Sequence, residues 1–290
     1  MITGILTGIG AAVTFSLAAI LYRLGLKSSE TDVLLVNSLR APPALATLYL
    51  ALLISGEPAP GFDPLVSLYA FLSMFFALII GDIAFFEALK RTSVSIVYPI
   101  AYSFSLPATL FTYLLTKERV TWGVLYSSAL IVTGITLTYL SPSGDRTSKL
   151  SLKGLTLSLM TSTAWGASVV FTKLGLLYLN PIPFNIIRLW FMMILLPIYL
   201  ATTRGRREAV RLKVNEVAPV VGGGILGIGL GPLLFFVAIG ELGASKASVL
   251  TSSSPVLTAL LSSILLREKL SLRQLLGIVI IVIGIYLLRY

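Results

Sequence analysis

Three ionisable side chains stand deep inside long apolar stretches: Arg40, Asp82 and Arg188. Charges in such places are costly and are by default candidates for ion or solute handling. Arg40 lies seven residues into one apolar run, and Asp82 lies eight residues before Lys90, which ends the next. At a helical rise of about 1.5 Å per residue, both sit roughly 10–12 Å deep from the same face, so an ion pair between them is geometrically open. Asp82 is then either a permanent partner of Arg40 or a candidate for proton coupling, since poor hydration disfavours the charged form of a carboxyl. Arg188 has no such acid. Either its long side chain reaches the interface or helix-end carbonyls, or it attracts an anionic group of a solute.

Hydroxyl and aromatic side chains form a second set. Ser95, Tyr98, Tyr102, Ser105 and Thr109 recur at spacings of three and four, which places them on one helix face. Ser245, Ser248 and Ser252 make a second face, and Thr161, Trp165, Ser168 and Thr172 a third. Serine and threonine can simply hydrogen-bond neighbouring helices. Tyrosines and a tryptophan among them favour a polar, aromatic pocket for the set. The candidate solute contacts are Tyr98, Tyr102, Ser105, Trp165, Ser168, Thr172, Arg188, Ser248 and Ser252, with Arg40 and Asp82 as a coupling or intramembrane ion pair.

The chain has no histidine and no cysteine, which removes most zinc, haem and thiol chemistry and any disulfide. No GxxxxGK[ST] loop is present, so the chain has no phosphate cradle of its own for driving movement with ATP. A second mid-span carboxylate is also missing, which leaves an aspartyl dyad unsupported. The sequence therefore reads as a protein without cofactor and not as an enzyme. The leading class is a carrier of small solutes; the alternatives are a scaffold or sensor without flux and, more weakly, an intramembrane enzyme.

Composition identifies the elements that must position these residues. Apolar residues make up 56% of the 290 and charged residues 12%, where a soluble domain has roughly a quarter charged. The apolar residues come in blocks near the 20 or so needed to cross hydrocarbon as a helix, without the period of two of a barrel strand. Ten spans are expected, over 2–24, 33–54, 65–89, 94–115, 122–140, 152–174, 182–201, 217–239, 247–266 and 272–288. The first lacks a basic leader and has a counterpart later in the chain, so it is expected to remain as a span. The net charge of +10 sits between the blocks, where lysine and arginine meet lipid headgroups, and does not indicate nucleic acid.

The chain repeats itself at an offset of 150 residues. Gly81, Phe85, Phe86 and Ala88 meet Gly231, Phe235, Phe236 and Ala238; Lys117-Glu118-Arg119 meets Arg267-Glu268-Lys269; Gly134-Ile135 meets Gly284-Ile285. In the second span an offset of 148 places Asn37 and Arg40 on Asn185 and Arg188. Pro232 stands where Asp82 would recur. The expected units are residues 1–144 and 145–290, joined through the polar stretch Ser141–Ser151. Five spans per unit force the second to insert upside down relative to the first. Inverted repeats of this kind are typical of secondary transporters, because one scaffold then has two nearly equivalent packings.

With this order of features, the chain resembles the ten-helix EamA-like members of the drug/metabolite transporter superfamily. The resemblance rests on the five-plus-five arrangement and on Arg40 and Arg188 early in the second span of each half. It rests further on Gly243-Ala-Ser-Lys-Ala-Ser-Val-Leu, followed by Pro255 and Glu268, and on the closing Gly277–Gly284 run. It implies a multi-pass cell-membrane protein that carries a small metabolite, an amino acid or organic anion among the candidates, often by export. It further implies a central cavity lined by both halves. Protons are the candidate coupling ion, and monomer and homodimer both remain open.

Further expectations concern the scaffold. Ser127 and Gly134, and Gly277 and Gly284, form narrow stripes of small side chains that should bring spans five and ten together, with Gly134 near Gly284. Pro99, Pro107 and Pro255 suggest kinks, and the glycines Gly222–Gly224 and Gly227–Gly231 suggest close helix packing or a hinge. Glu118 and Glu268 read as structural, each just before a helix cap at Thr121 or Ser271. Charge places Arg23, Lys27, Lys90, Arg91, Arg146, Lys149, Lys153, Arg204, Arg206, Arg207, Arg211, Lys213, Arg267, Lys269 and Arg273 on one side, here side A. Only Lys117, Arg119, Lys173, Lys246 and Arg289 fall on the other. Positive residues favour the cytoplasm, so side A should face in and both termini out; the resemblance implies termini inside.

Overall fold

A computed structural model describes residues 1–25, 33–89, 91–92, 94–139, 151–203, 214–265 and 271–288, and among them every regular element is helical. Most of the linker Ser141–Ser151, and Lys90, Lys213 and Glu268, lie outside the described residues. Ten rods result, close to the ten expected spans: α1 (Ile2–Gly25), α2 (Val33–Ser55), α3 (Pro64–Leu89), α4 (94–116), α5 (Trp122–Tyr139), α6 (Leu152–Gly175), α7 (Pro181–Thr203), α8 (214–242), α9 (Ala244–Leu265) and α10 (Leu272–Leu287). Eight are long and apolar enough to cross a membrane. α10 is a shorter apolar helix, and α4 is two helical pieces joined by a tight turn at Tyr102–Phe104.

Local chemistry sets several ends. Asp63 accepts from the Val66 N–H and Pro64 opens α3 at the position where its missing donor does no harm. Ser151 accepts from the Gly154 N–H to start α6. The expected capping box forms at α10, with Ser271 and Gln274 satisfying each other's backbone N–H. Lys117, at φ 55°, turns the chain off the end of α4, and Gly243, at φ 86°, separates α8 from α9.

The two repeats share their irregularities. A π-helical stretch runs over Phe75–Gly81 in α3 and again over Ile225–Leu230 in α8, 150 residues on. Such wide turns free backbone carbonyls and often mark functional positions. The turn at Tyr102–Phe104 in α4 likewise recurs at Ser253 in α9, next to Pro107 in one case and Pro255 in the other. Prolines cannot donate to the preceding turn, which is why the helices break there.

Packing runs mostly between the repeats. α1 lies against α8 and α9, and its counterpart α6 lies against α3 and α4. α2 packs on α7 and α8, while α3 packs on α7. The tightest pair is α5 with α10. Their small stripes meet as expected, but the register differs from the expected one. Gly134 faces Gly277, and Gly284 faces Ser127 and Leu130. The helices run antiparallel, as inversion of the repeat requires, so the low end of one stripe meets the high end of the other. Large apolar side chains such as Leu50, Leu53, Val282 and Ile283 point outward, as in a lipid-facing surface.

Candidate functional site

The deep charges of the first half form one network. An Arg40 Nη atom donates to Asp82 at 2.7 Å, and the Trp165 indole N–H donates to the other carboxylate oxygen at 3.3 Å. The Arg40 side chain is 3% exposed and that of Asp82 14%, so the arginine does not snorkel. The guanidinium lies over the Tyr22 ring at 5.1 Å. Tyr22 in turn donates its hydroxyl to the Gly223 carbonyl at 2.5 Å. Arg40 on α2 and Asp82 on α3 are thus joined to α6 and α8 of the second repeat. Asp82 immediately follows the π-helical stretch of α3, and Trp165 packs against Gly81 beside it.

Arg188 is 4% exposed. One Nη donates to the Asn185 side-chain oxygen at 2.9 Å, and the guanidinium lies over the Phe236 ring at 4.9 Å. Asn185 uses its amide to donate to the carbonyls of Ile228 and Gly229, freed by the π-helical stretch of α8. Arg188 Nε has no hydrogen-bond partner, and among the described residues Arg188 makes no ion pair.

The aromatic residues gather at the join of the halves. Tyr102 stacks on Tyr98 at 5.5 Å and meets the Trp165 ring at 5.3 Å edge-on; Phe85 touches all three. Tyr98 also stacks on Tyr139 of α5. The hydroxyls are placed differently. Ser168 and Thr172 hydrogen-bond Ser73 across α3 and α6, and Ser248 bonds back to the Ala244 carbonyl. Ser105, Thr109 and Thr112 of α4, Ser245 and Ser252 of α9, and both polar atoms of Asn37 are buried without partners. Surface concavities lie around Trp122 and Leu287 and around Tyr49 and Trp190, away from this centre.

Three contributors were not singled out by sequence reasoning. Tyr22 is one, although it sits 150 residues before Thr172. Phe15 is another; it lies against Gly231 as Trp165 lies against Gly81. The third is the reach of Glu118, which accepts from the Ala244 and Ser245 N–H groups at 3.1 and 3.0 Å and from Lys173. Glu118 therefore has the structural role expected of it, as the cap of a helix of the other repeat.

Long apolar helices, internal repetition and charge held at depth define a multi-pass membrane protein of the cell membrane, of the transporter class. The model of the EamA-like transporter family matches residues 2–140 and again 152–290, and the chain belongs to that family. A protein of Archaeoglobus fulgidus, described as an uncharacterized transporter, is 27% identical over 285 residues, 98% of this chain and 97% of its own. One from Clostridium kluyveri, described in the same words, is 25% identical over 67% of this chain and 62% of its own. A solved crystal structure superposes with a TM-score of 0.81 at 17% identity, covering 99% of this chain and 98% of that one, which bears on the fold alone.

Proposed function

We propose that this transporter moves a small metabolite, an amino acid or organic anion, across the cell membrane by alternating access, as a secondary carrier working in the direction of export. The observation that carries this reading is the buried Arg40–Asp82–Trp165 network, which ties α2 and α3 of the first repeat to α6 of the second. A group that changes charge there changes how the repeats hold each other, and that is the coupling alternating access needs. Asp82 is the proton-linked group in this scheme. The aromatic cluster of Tyr98, Tyr102 and Trp165 provides the apolar wall of the solute site, and Arg188 provides its cation. Ser105, Ser248 and Ser252, with Ser168 and Thr172, line the path between the halves as it opens. Export and the solute class come from the resemblance to EamA-like carriers. The assay is flux into and out of proteoliposomes across a panel of amino acids, sugars and organic anions. Flux of one class that responds to a proton gradient, with the response lost in Asp82→Asn, is expected. Absence of flux for every solute would leave a scaffold or sensor.

A further inference from the structure

The two repeats build one template twice, and the second copy lacks its acid. In the first copy Arg40, Asp82, Trp165 and Tyr22 form one network, with Trp165 against Gly81 at the end of the π-helical stretch of α3. The positions related to them by the repeat hold Arg188, Pro232, Phe15 and Thr172. The correspondence is physical as well as sequential. Phe15 takes the place against Gly231 that Trp165 takes against Gly81. Thr172 bonds Ser73, as Tyr22 bonds Gly223, which is Ser73's counterpart. What the second copy has lost is a carboxylate, an indole and a phenol, each replaced by an apolar or smaller side chain.

The charge does not balance. Among the described residues, Arg40, Asp82 and Arg188 together leave one uncompensated positive charge deep in the spans. Burying an unpaired cation is strongly unfavourable. The Phe236 face and the Asn185 oxygen offset part of this, but neither is an anion. Both Arg40 Nε and Arg188 Nε are without a hydrogen-bond partner, and among the described residues only Arg40 has a carboxylate in contact. We infer that the solute itself supplies the missing acid: a carboxylate of the transported molecule binds Arg188 beside Pro232, where the first repeat carries Asp82. Phe15 and Thr172 are smaller than Trp165 and Tyr22, the residues they correspond to in the other copy. The inference rests on the transport reading above and narrows it to solutes bearing a carboxylate at this station.

The test uses the purified full chain in detergent and the shift in Tm produced by straight-chain and aromatic monocarboxylates and the common amino acids, each compared with its neutral amide. At least one carboxylate should stabilise the wild-type protein where its amide does not. Arg188→Gln should weaken that binding roughly 30-fold or more, as expected for removing one partner of a buried charge pair. Arg188→Lys keeps the charge but not the planar fork and should fall between. Pro232→Asp should install the acid covalently, raise the ligand-free Tm and abolish the carboxylate response, while Pro232→Asn, which adds no charge, retains it. No carboxylate-over-amide preference in the wild type, unchanged affinity in Arg188→Gln, or a full response in Pro232→Asp would each overturn the site. If Pro232→Asp does not fold, the Arg188 pair of variants decides. Carboxylate binding with no flux of any solute would remove the transport reading and leave this site standing. Carboxylate flux by Arg188→Gln at wild-type affinity would do the reverse.

Discussion

Glu118, just past the end of α4, accepts a hydrogen bond from Lys173 at the end of α6, so an acid of the first repeat holds a base of the second. The same carboxylate receives the first two N–H groups of α9, where a helix N-terminus favours negative charge. Gly243 is required beside it: its φ is positive, and a Cβ there would press on the Glu118 carboxylate. One side chain therefore fastens three helix ends on the side opposite to side A.

Glu118→Gln should lower stability by about 2 kcal/mol, the scale of a lost hydrogen-bonded charge, and Lys173→Met should lower it less when added to Glu118→Gln than alone. Burial acts to raise the Glu118 pKa, but the Lys173 and Ser245 hydrogen bonds outweigh it and hold the carboxyl below its ordinary value of 4.5. A depressed folded pKa means the stabilisation is complete above the ordinary value and fades as pH falls from there through the lower folded one. Thermal unfolding of wild type and Glu118→Gln as a function of pH should converge only in that acid range. Convergence near neutral pH would contradict the assignment.

Breaking the Arg40–Asp82 pair leaves a buried charge without its partner. Asp82→Leu should destabilise by about 3–5 kcal/mol, and the double change Arg40→Met with Asp82→Leu by less than the single one. Unfolding in mixed micelles measures both. A double variant as unstable as the two single changes added together would mean that the residues do not act as a pair.

The α5–α10 contact predicts a crosslink. The chain has no native cysteine, so Gly134→Cys with Gly277→Cys is a clean pair and should join within one chain. Gly134→Cys with Gly284→Cys should react poorly, because the antiparallel crossing sets those positions apart along the helices. Gly134→Leu should impair assembly, since a side chain there meets Ile281 and the Gly277 backbone. Crosslinks found only between chains would place this contact at a dimer interface.

Orientation is testable with the same cysteine-free background. Fifteen basic residues on side A against five opposite predict side A in the cytoplasm and both termini outside. Cysteines at Ser143 and Thr202 should then resist an impermeant thiol reagent in intact cells and react after lysis. Labelling of intact cells would put the termini inside, as in the resemblance to the family.

Span number, the 150-residue repeat and its inversion follow from sequence alone, because hydrocarbon demands long unbroken apolar helices and an odd number of them per repeat reverses direction. The Arg40–Asp82 pair was legible too, since depth along a helix is simple arithmetic from the nearest span end. Capping at Ser271 was equally local. Tertiary structure decided the rest. Only packing shows that α1 and α6 lie against the opposite repeat, or that Glu118 caps α9 and not its own neighbour. Likewise, Ser168 and Thr172 hydrogen-bond Ser73, whereas Ser105 and Ser252 are left without partners. A helix face records that it is polar, not which neighbour it meets, because in a membrane every neighbour, lipid included, offers the same apolar background. The register of α5 against α10 has the same origin: glycine stripes specify close approach, and the crossing direction specifies which glycine meets which.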